Sequence, residues 1–294
     1  MLELRMKPRN NPFQKHVAEC ARLFQSGKKL PPGCPQKFQR HSKVPDNAPK
    51  ALMFSPHPDD ECIVGGLALR LLREAKWNVI NVAVTLGGKK ARRAARLCEL
   101  RAACGLLGFG LMVADWEDVN PAARRKNGAA WRAAVNSAAE ILAEQRPRVI
   151  FLPHERDGHK THISAHFLVM DALETLPAGF KCHVVETEFW GQMTDPNLLV
   201  ESGVEDVGDL MAALACHVGE VRRNPYHARL PAWMMDNVRR GAELVGGQGG
   251  AAPDFTFATL YRLRQWSRGR LANALRRGKF LSHSNNPASL FQKR

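Results

Sequence analysis

Short apolar runs alternate with stretches of helical periodicity along most of this chain, and that order restricts its fold more than any other feature. ALMFS (51–55) and RVIFLP (148–153) are continuous apolar runs, as strands buried on both faces show. NVINVAVT (78–85), FGLMVAD (109–115) and KCHVVETEFW (181–190) read as further strands. Between and after them, 61–75, 91–108, 127–145, 162–176, 207–221 and 231–245 carry apolar residues at helical spacing, and Gly108 stops the second of these. Strands alternating with helices of this length predict an α/β fold, with a mostly parallel sheet and helices on both faces. In such sheets ligands sit beyond the carboxyl ends of the strands, where the strand order reverses.

Within 294 residues, 45% apolar and 24% charged, there is material for one large domain, or for a medium domain with extensions. The formal charge of +15 is uneven: residues 1–50 hold 11 Lys/Arg against 3 Asp/Glu, residues 262–294 hold 9 Lys/Arg and no acid, and the stretch between is nearly neutral. The expected organisation is a basic N-terminal extension (1–49), a central domain (50–260) and a basic C-terminal extension (261–294). Residues 16–27 read as a helix, and the Pro/Lys-rich stretch that follows as an extended linker or surface arm. YRLRQWSRGRLANALRRGKF (261–280) interleaves aromatics with arginines. It reads either as an amphipathic helix docked on the domain or as a contact for nucleic acid or an anionic surface. No apolar run reaches the roughly 18–20 residues that span a bilayer, and the N-terminus lacks a signal-type apolar core, so a cytoplasmic location is expected. Seven cysteines, odd in number and without a CxxC pair, argue against a disulfide framework.

Two His/acid clusters follow two of the predicted strands: Pro56-His57-Pro58-Asp59-Asp60-Glu61 and the stretch from His154 to His162. Imidazole and carboxylate together suit a divalent cation such as zinc, and three protein ligands with an open position describe a catalytic site. His57 and Asp60, three apart, can be aimed at one point by a tight turn; His162 can supply the third ligand, His159 could point into the same space, and His154 could replace or assist one of them. Asp59, left beside the ion, is placed to act as general base, and His159, as an imidazolium, to stabilise an oxyanion and protonate a leaving amine. That set suffices for metal-assisted hydrolysis of an amide or ester.

PHPDDE after an apolar strand, with GHKTH about 100 residues later, resembles the LmbE/PIG-L family of zinc-dependent N-acetylglucosamine deacetylases. The resemblance implies a Rossmann-like fold and removal of acetyl groups from N-acetylated sugars or sugar conjugates. It implies Zn2+, or another divalent transition metal, at His57, Asp60 and His162, a base at Asp59 and an acid or oxyanion-stabilising group at His159. RLCELRAACGLLG is similar to the family's RxxE segment, which implies a sugar contact at Arg96. ALACHVGEVRR and RRGAELVG place His217 and Arg240-Gly241 where family members carry residues near the site. This chain has Lys160-Thr161 where the family often has Pro-Asp.

Other features keep two readings each. Gly65-Gly66 reads as close helix–sheet packing rather than a phosphate loop. Glu61 either braces the motif or simply suits the first turn of a helix. Phe189 and Trp190 suit sugar stacking or core packing. The basic Gly87-Gly88-Lys89-Lys90 loop suits an anionic sugar or a solvated turn. The expected function is a zinc-dependent N-deacetylase of an amino sugar. The alternatives are another amide or ester at the same metal, or a non-catalytic protein that binds nucleic acid or a surface through its ends.

Overall fold

The computed structural model describes residues 11–35, 44, 45 and 47–292, so part of the predicted linker (36–43 and 46) lies outside the described residues. The chain divides into two compact units, Met1–Pro31 and Pro32–Arg294. The first contains α1 (Pro12–Gly27), which starts four residues before the predicted helix. The Asn11 side chain accepts the Phe13 N–H, and Pro12 occupies the first turn, where its missing N–H costs nothing.

The second unit runs β1 (Lys50–Ser55), α2 (Asp60–Ile63), α3 (Gly66–Arg73), β2 (Asn78–Ala83), α4 (Arg93–Leu107), β3 (Gly110–Val113), α5 (Pro121–Lys126), α6 (Ala129–Gln145), β4 (Val149–Pro153), α7 (Lys160–Thr175) and β5 (Lys181–Thr187). It continues through β6 (Leu198–Ser202), α8 (Val204–Ala215), α9 (Val218–Val221), α10 (Tyr226–Leu244), β7 (Phe257–Ser267), β8 (Arg270–Asn273) and β9 (Lys279–Leu281). The strand order is β3-β2-β1-β4-β5-β7-β6-β9, with β8 on β7. β3 to β5 are parallel, and β7 runs antiparallel to β5 and β6. This is the expected mostly parallel α/β sheet. β1 feeds two cores in alternation: Ala51 and Met53 pack with α3, α4 and α8 on one face, Leu52 and Phe54 with α6 and α7 on the other. The strand order reverses between β1 and β4, which opens the crevice at their carboxyl ends.

Four expectations change. The helix predicted over 61–75 breaks at Val64-Gly65, because the Tyr261 hydroxyl donates to Val64 O (2.7 Å) and accepts the Leu67 N–H (3.1 Å). At that break Gly66 lets the helix approach the sheet, since a Cβ there would stand 2.8 Å from Ser202 Oγ. The helix predicted over 207–221 breaks at Cys216-His217, both held by side-chain partners described below. The amphipathic helix predicted over 261–280 is instead strand: β7 lies inside the sheet and runs across the boundary expected at 260/261. Its apolar residues alternate with arginines that meet acids, Arg262 bonding Glu155, Glu186 and Asp195, so its period is the two of a strand and not that of a helix. Finally, Cys34 and Cys216 form a disulfide although 182 residues separate them. The Gly33 N–H donates to Ala215 O (2.8 Å) and lays the linker against the end of α8, a juxtaposition that no cysteine spacing signals. Among the described residues no helix is long and apolar enough to cross a membrane.

Candidate active site

β1 delivers the first cluster and β4 the second. After Ser55 the chain turns through Pro56-His57-Pro58, and the His57 N–H donates to Asp60 Oδ2 (2.8 Å) as α2 begins. After Pro153 a loop leads to α7, whose first free N–H groups are capped by His159: its Nδ1 accepts the Thr161 N–H (3.3 Å). His162 then sits in the first turn of α7, facing the end of β1.

The two clusters meet. His57 Nδ1 and His162 Nε2 are 3.3 Å apart, His162 Nε2 and Asp60 Oδ2 are 3.3 Å apart, and His57 Nδ1 and Asp60 Oδ2 are 3.7 Å apart. Donor atoms bonded at about 2.0–2.1 Å to a tetrahedral ion are separated by roughly 3.3 Å, so these three fit one divalent cation. His159 also brings a ring nitrogen within 4.8 Å of donor atoms on His57 and His162. His154 does not join them; its Nε2 donates to Gly191 O (2.8 Å) and its Nδ1 accepts the Arg156 N–H.

The electrostatics divide the adjacent carboxyls. Burial works against the Asp60 carboxylate, yet His162 and His57 outweigh it and bring its pKa to about 2. Asp59 is pushed well up, first by burial and then by Asp60. Two neighbouring buried acids of which one is disfavoured as an anion make a place for a cation. Burial, then His57 and His162, lower the His159 pKa. The imidazolium expected at His159 is therefore neutral at rest, with Nδ1 accepting from Thr161 and the proton on Nε2.

The braces around the site were the least visible in the sequence. Asp157 Oδ1 stands 3.4 Å from His162 Nδ1, and its carboxylate also accepts the N–H groups of Phe189 and Trp190. It fixes the ring that turns Nε2 toward Asp60, the usual carboxylate–histidine–metal arrangement. The Asp157-Gly158 pair reads in sequence as a turn as much as a site, which hides this role. Glu61 is fully buried; it accepts from the Asp59 N–H (3.0 Å) and from His217 Nε2 (2.7 Å). His217 is likewise fully buried and absent from the cleft wall. The residue that the resemblance places near the site thus faces the core, because Glu61 draws it there. Arg240, also buried, pairs with Glu188 and so anchors the segment that carries Phe189 and Trp190.

Above the donors lies a cleft of about 300 Å³ whose wall includes Asp59, Arg96, His159, Trp190 and Tyr226. Arg96 donates to Pro58 O (3.1 Å) and Leu86 O (3.4 Å), joining the loops after β1 and β2. Gly87, at φ +87°, admits it: a Cβ there would stand 2.1 Å from Arg96 Nη1. Trp190 is 52% exposed, and its ring lies 5.9 Å from that of His159. A second acid/histidine group, Glu155, His166 and Glu186, lies elsewhere, but Arg262 already bonds both glutamates.

Residues 52–173 match a protein family described as PIG-L: GlcNAc-PI de-N-acetylase. Over 167 residues the chain is 29% identical to a 1D-myo-inositol 2-acetamido-2-deoxy-alpha-D-glucopyranoside deacetylase from Segniliparus rotundus, a match covering 45% of this chain and 53% of that protein. The chain thus spans about half the length of this curated relative. Among solved structures, its fold is similar to that of N,N'-diacetylchitobiose deacetylase from Pyrococcus horikoshii, at 16% identity and a TM-score of 0.54, covering 87% of this chain and 94% of that one. It is also similar to 4-carboxy-2-hydroxymuconate hydratase from Pseudomonas putida, at 18% identity and a TM-score of 0.56, covering 73% and 95%. One architecture hosts differently named reactions, so side chains rather than fold must select the chemistry.

Proposed function

Because residues 52–173 match the PIG-L family, we propose that this protein is a metal-dependent hydrolase that removes an acetyl group from an N-acetylated amino sugar or sugar conjugate. The observation that carries the proposal is the convergence of His57 Nδ1, Asp60 Oδ2 and His162 Nε2, with buried Asp59 beside them. The name of the S. rotundus relative supplies the substrate class.

Two imidazoles and one carboxylate suit Zn2+, and another divalent transition metal fills the same set. Such an ion supplies an acidified water and a polarised acetamide carbonyl. The chain's own residues manage the protons and the charge. Asp59 accepts the proton of the attacking water as oxygen bonds to the acetyl carbon. A carboxyl raised by burial is better matched to that task than an ordinary aspartate. His159 donates its Nε2–H to the carbonyl oxygen as that oxygen gains charge. The proton held on Asp59 then passes to the sugar nitrogen, the C–N bond breaks, and acetate and a free amino sugar leave. Arg96 fixes the loop that carries Asp59 and borders the sugar. Contact with nucleic acid or an anionic surface through the chain ends is no part of this reading, since Arg262 is committed to its acidic partners.

The test is acetate release by the zinc-loaded protein from a panel of N-acetylglucosamine glycosides. Asp59→Asn is expected to lower kcat about 10²–10⁴-fold while the metal content stays the same. No acetate from any glycoside would sink the reading.

A further inference from the structure

We propose that the substrate of this site carries an anionic group, a phosphate or a carboxylate, held in a basic pocket continuous with the cleft; the proposal rests on the deacetylase reading above. Beside the 300 Å³ cleft lies a second hollow of about 190 Å³. Gly88, Arg96, Glu220 and Arg223 line both, so the two adjoin and a ligand seated over the metal donors lies beside the second hollow. The hollow adds Lys89 and Arg92.

Its charges do not balance. Lys89, Arg92, Arg96 and Arg223 surround one carboxylate, Glu220. Arg92 Nη2 is 2.9 Å from Glu220 Oε1, Arg96 Nη2 is 3.6 Å from it, and Arg223 bonds the other oxygen. Burial disfavours the Glu220 anion, but Arg96 and Arg223 outweigh it and lower its pKa. Glu220 therefore stays ionised and cancels one of the four positive charges. Lys89 is exposed and has no ion pair among the described residues. Arg92 and Arg223 have side chains 36% and 67% exposed, so guanidinium N–H groups remain open to the hollow. α4 starts beside Arg92 with no acid in its first turn and no side chain capping its N–H groups, which adds the positive end of a helix to the same field.

Guanidinium forks match the paired oxygens of phosphate and carboxylate. A hollow of about 190 Å³ has room for one such group. The arrangement thus distinguishes a charged sugar derivative from a neutral one. Asp59 and His159 act at the acetamide end, while Arg92, Arg223 and Lys89 hold the anion.

The test compares three glycosides of N-acetylglucosamine with the zinc-loaded protein: the neutral methyl glycoside, the 1-phosphate and the carboxymethyl glycoside. Charge-assisted hydrogen bonds of ordinary strength predict a kcat/KM about tenfold or more higher for at least one anionic glycoside, shrinking with added salt. The double variant Arg92→Gln/Arg223→Gln is expected to remove that preference, and Arg92→Lys to retain part of it. The anion with the larger preference identifies the source. Equal kcat/KM for all three glycosides, or an equal loss on all three in the double variant, would overturn the proposal. If no glycoside releases acetate, the deacetylase reading fails separately. The pocket is then judged by titration calorimetry with the 1-phosphate and the methyl glycoside. Tighter binding of the 1-phosphate that the double variant abolishes supports the pocket, and equal binding rejects it.

Discussion

His217 donates through Nε2 to Glu61 Oε1 across 2.7 Å in the core of the protein, and the other oxygen of Glu61 accepts the Asp59 N–H. Asp59 sits at φ +119°, a region an L residue occupies only when its surroundings hold it there. The buried pair therefore acts on the proposed base through its backbone. His217→Ala leaves a buried carboxylate oxygen short of a donor and is expected to cost about 1–3 kcal/mol in urea unfolding. Glu61→Gln is expected to lower kcat with KM little changed. Unchanged kcat in Glu61→Gln would separate the pair from the base.

Asp157 orients His162 without touching the ion's place. Asp157→Ala is expected to weaken metal binding about 10–100-fold, measured by competition with a chromogenic chelator. Because the same carboxylate holds the N–H groups of Phe189 and Trp190, Asp157→Asn, which keeps one acceptor, is expected to lose less.

Trp190 offers an open ring beside His159. Trp190→Ala is expected to raise KM for a neutral glycoside by up to about tenfold, the scale of one stacking contact. Trp190→Phe is expected to restore most of it. Steady-state kinetics with the methyl glycoside decides, and an unchanged KM would remove the ring from the binding surface.

The metal-free protein gives a signed acid response. The Asp60 pKa falls from 3.8 to about 2 on folding: burial opposes the shift, and His162 and His57 drive it. A pKa lowered by folding adds stability that is complete above about pH 4 and is lost as pH falls toward about 2. Between about pH 5 and about pH 3, urea unfolding of the chelator-treated protein is expected to show about 1 kcal/mol more loss than Asp60→Asn shows. Parallel behaviour of the two proteins would refute the ion-pair account.

The parallel half of the fold was legible because β1 and β4 are buried on both faces and read as unbroken apolar runs. The metal donors were legible because both clusters stand at strand ends. β6 and β7 were missed for different reasons. β6 is short and flanked by polar residues, and β7 places Arg262 and Arg264 among apolar neighbours, so its acidic partners, contributed by distant segments, decide what the sequence alone leaves open. Glu61, Asp157 and His217 were undervalued because their partners lie across the chain: 156 positions separate Glu61 from His217. The Cys34–Cys216 link escaped for the same reason.

Arg70 is completely enclosed, and its guanidinium donates to the carbonyls of Glu201, Leu281, Ser282 and Asn285 while pairing with Glu74. Three of those carbonyls belong to the last fifteen described positions. A fragment trimmed behind residue 278 would lose three of this cation's four carbonyl acceptors and leave it Glu201 O and the Glu74 carboxylate. The basic terminus is thus a keystone to be kept when the protein is expressed in pieces, and a protease that clips it is expected to loosen the α3 side of the sheet rather than release an intact domain.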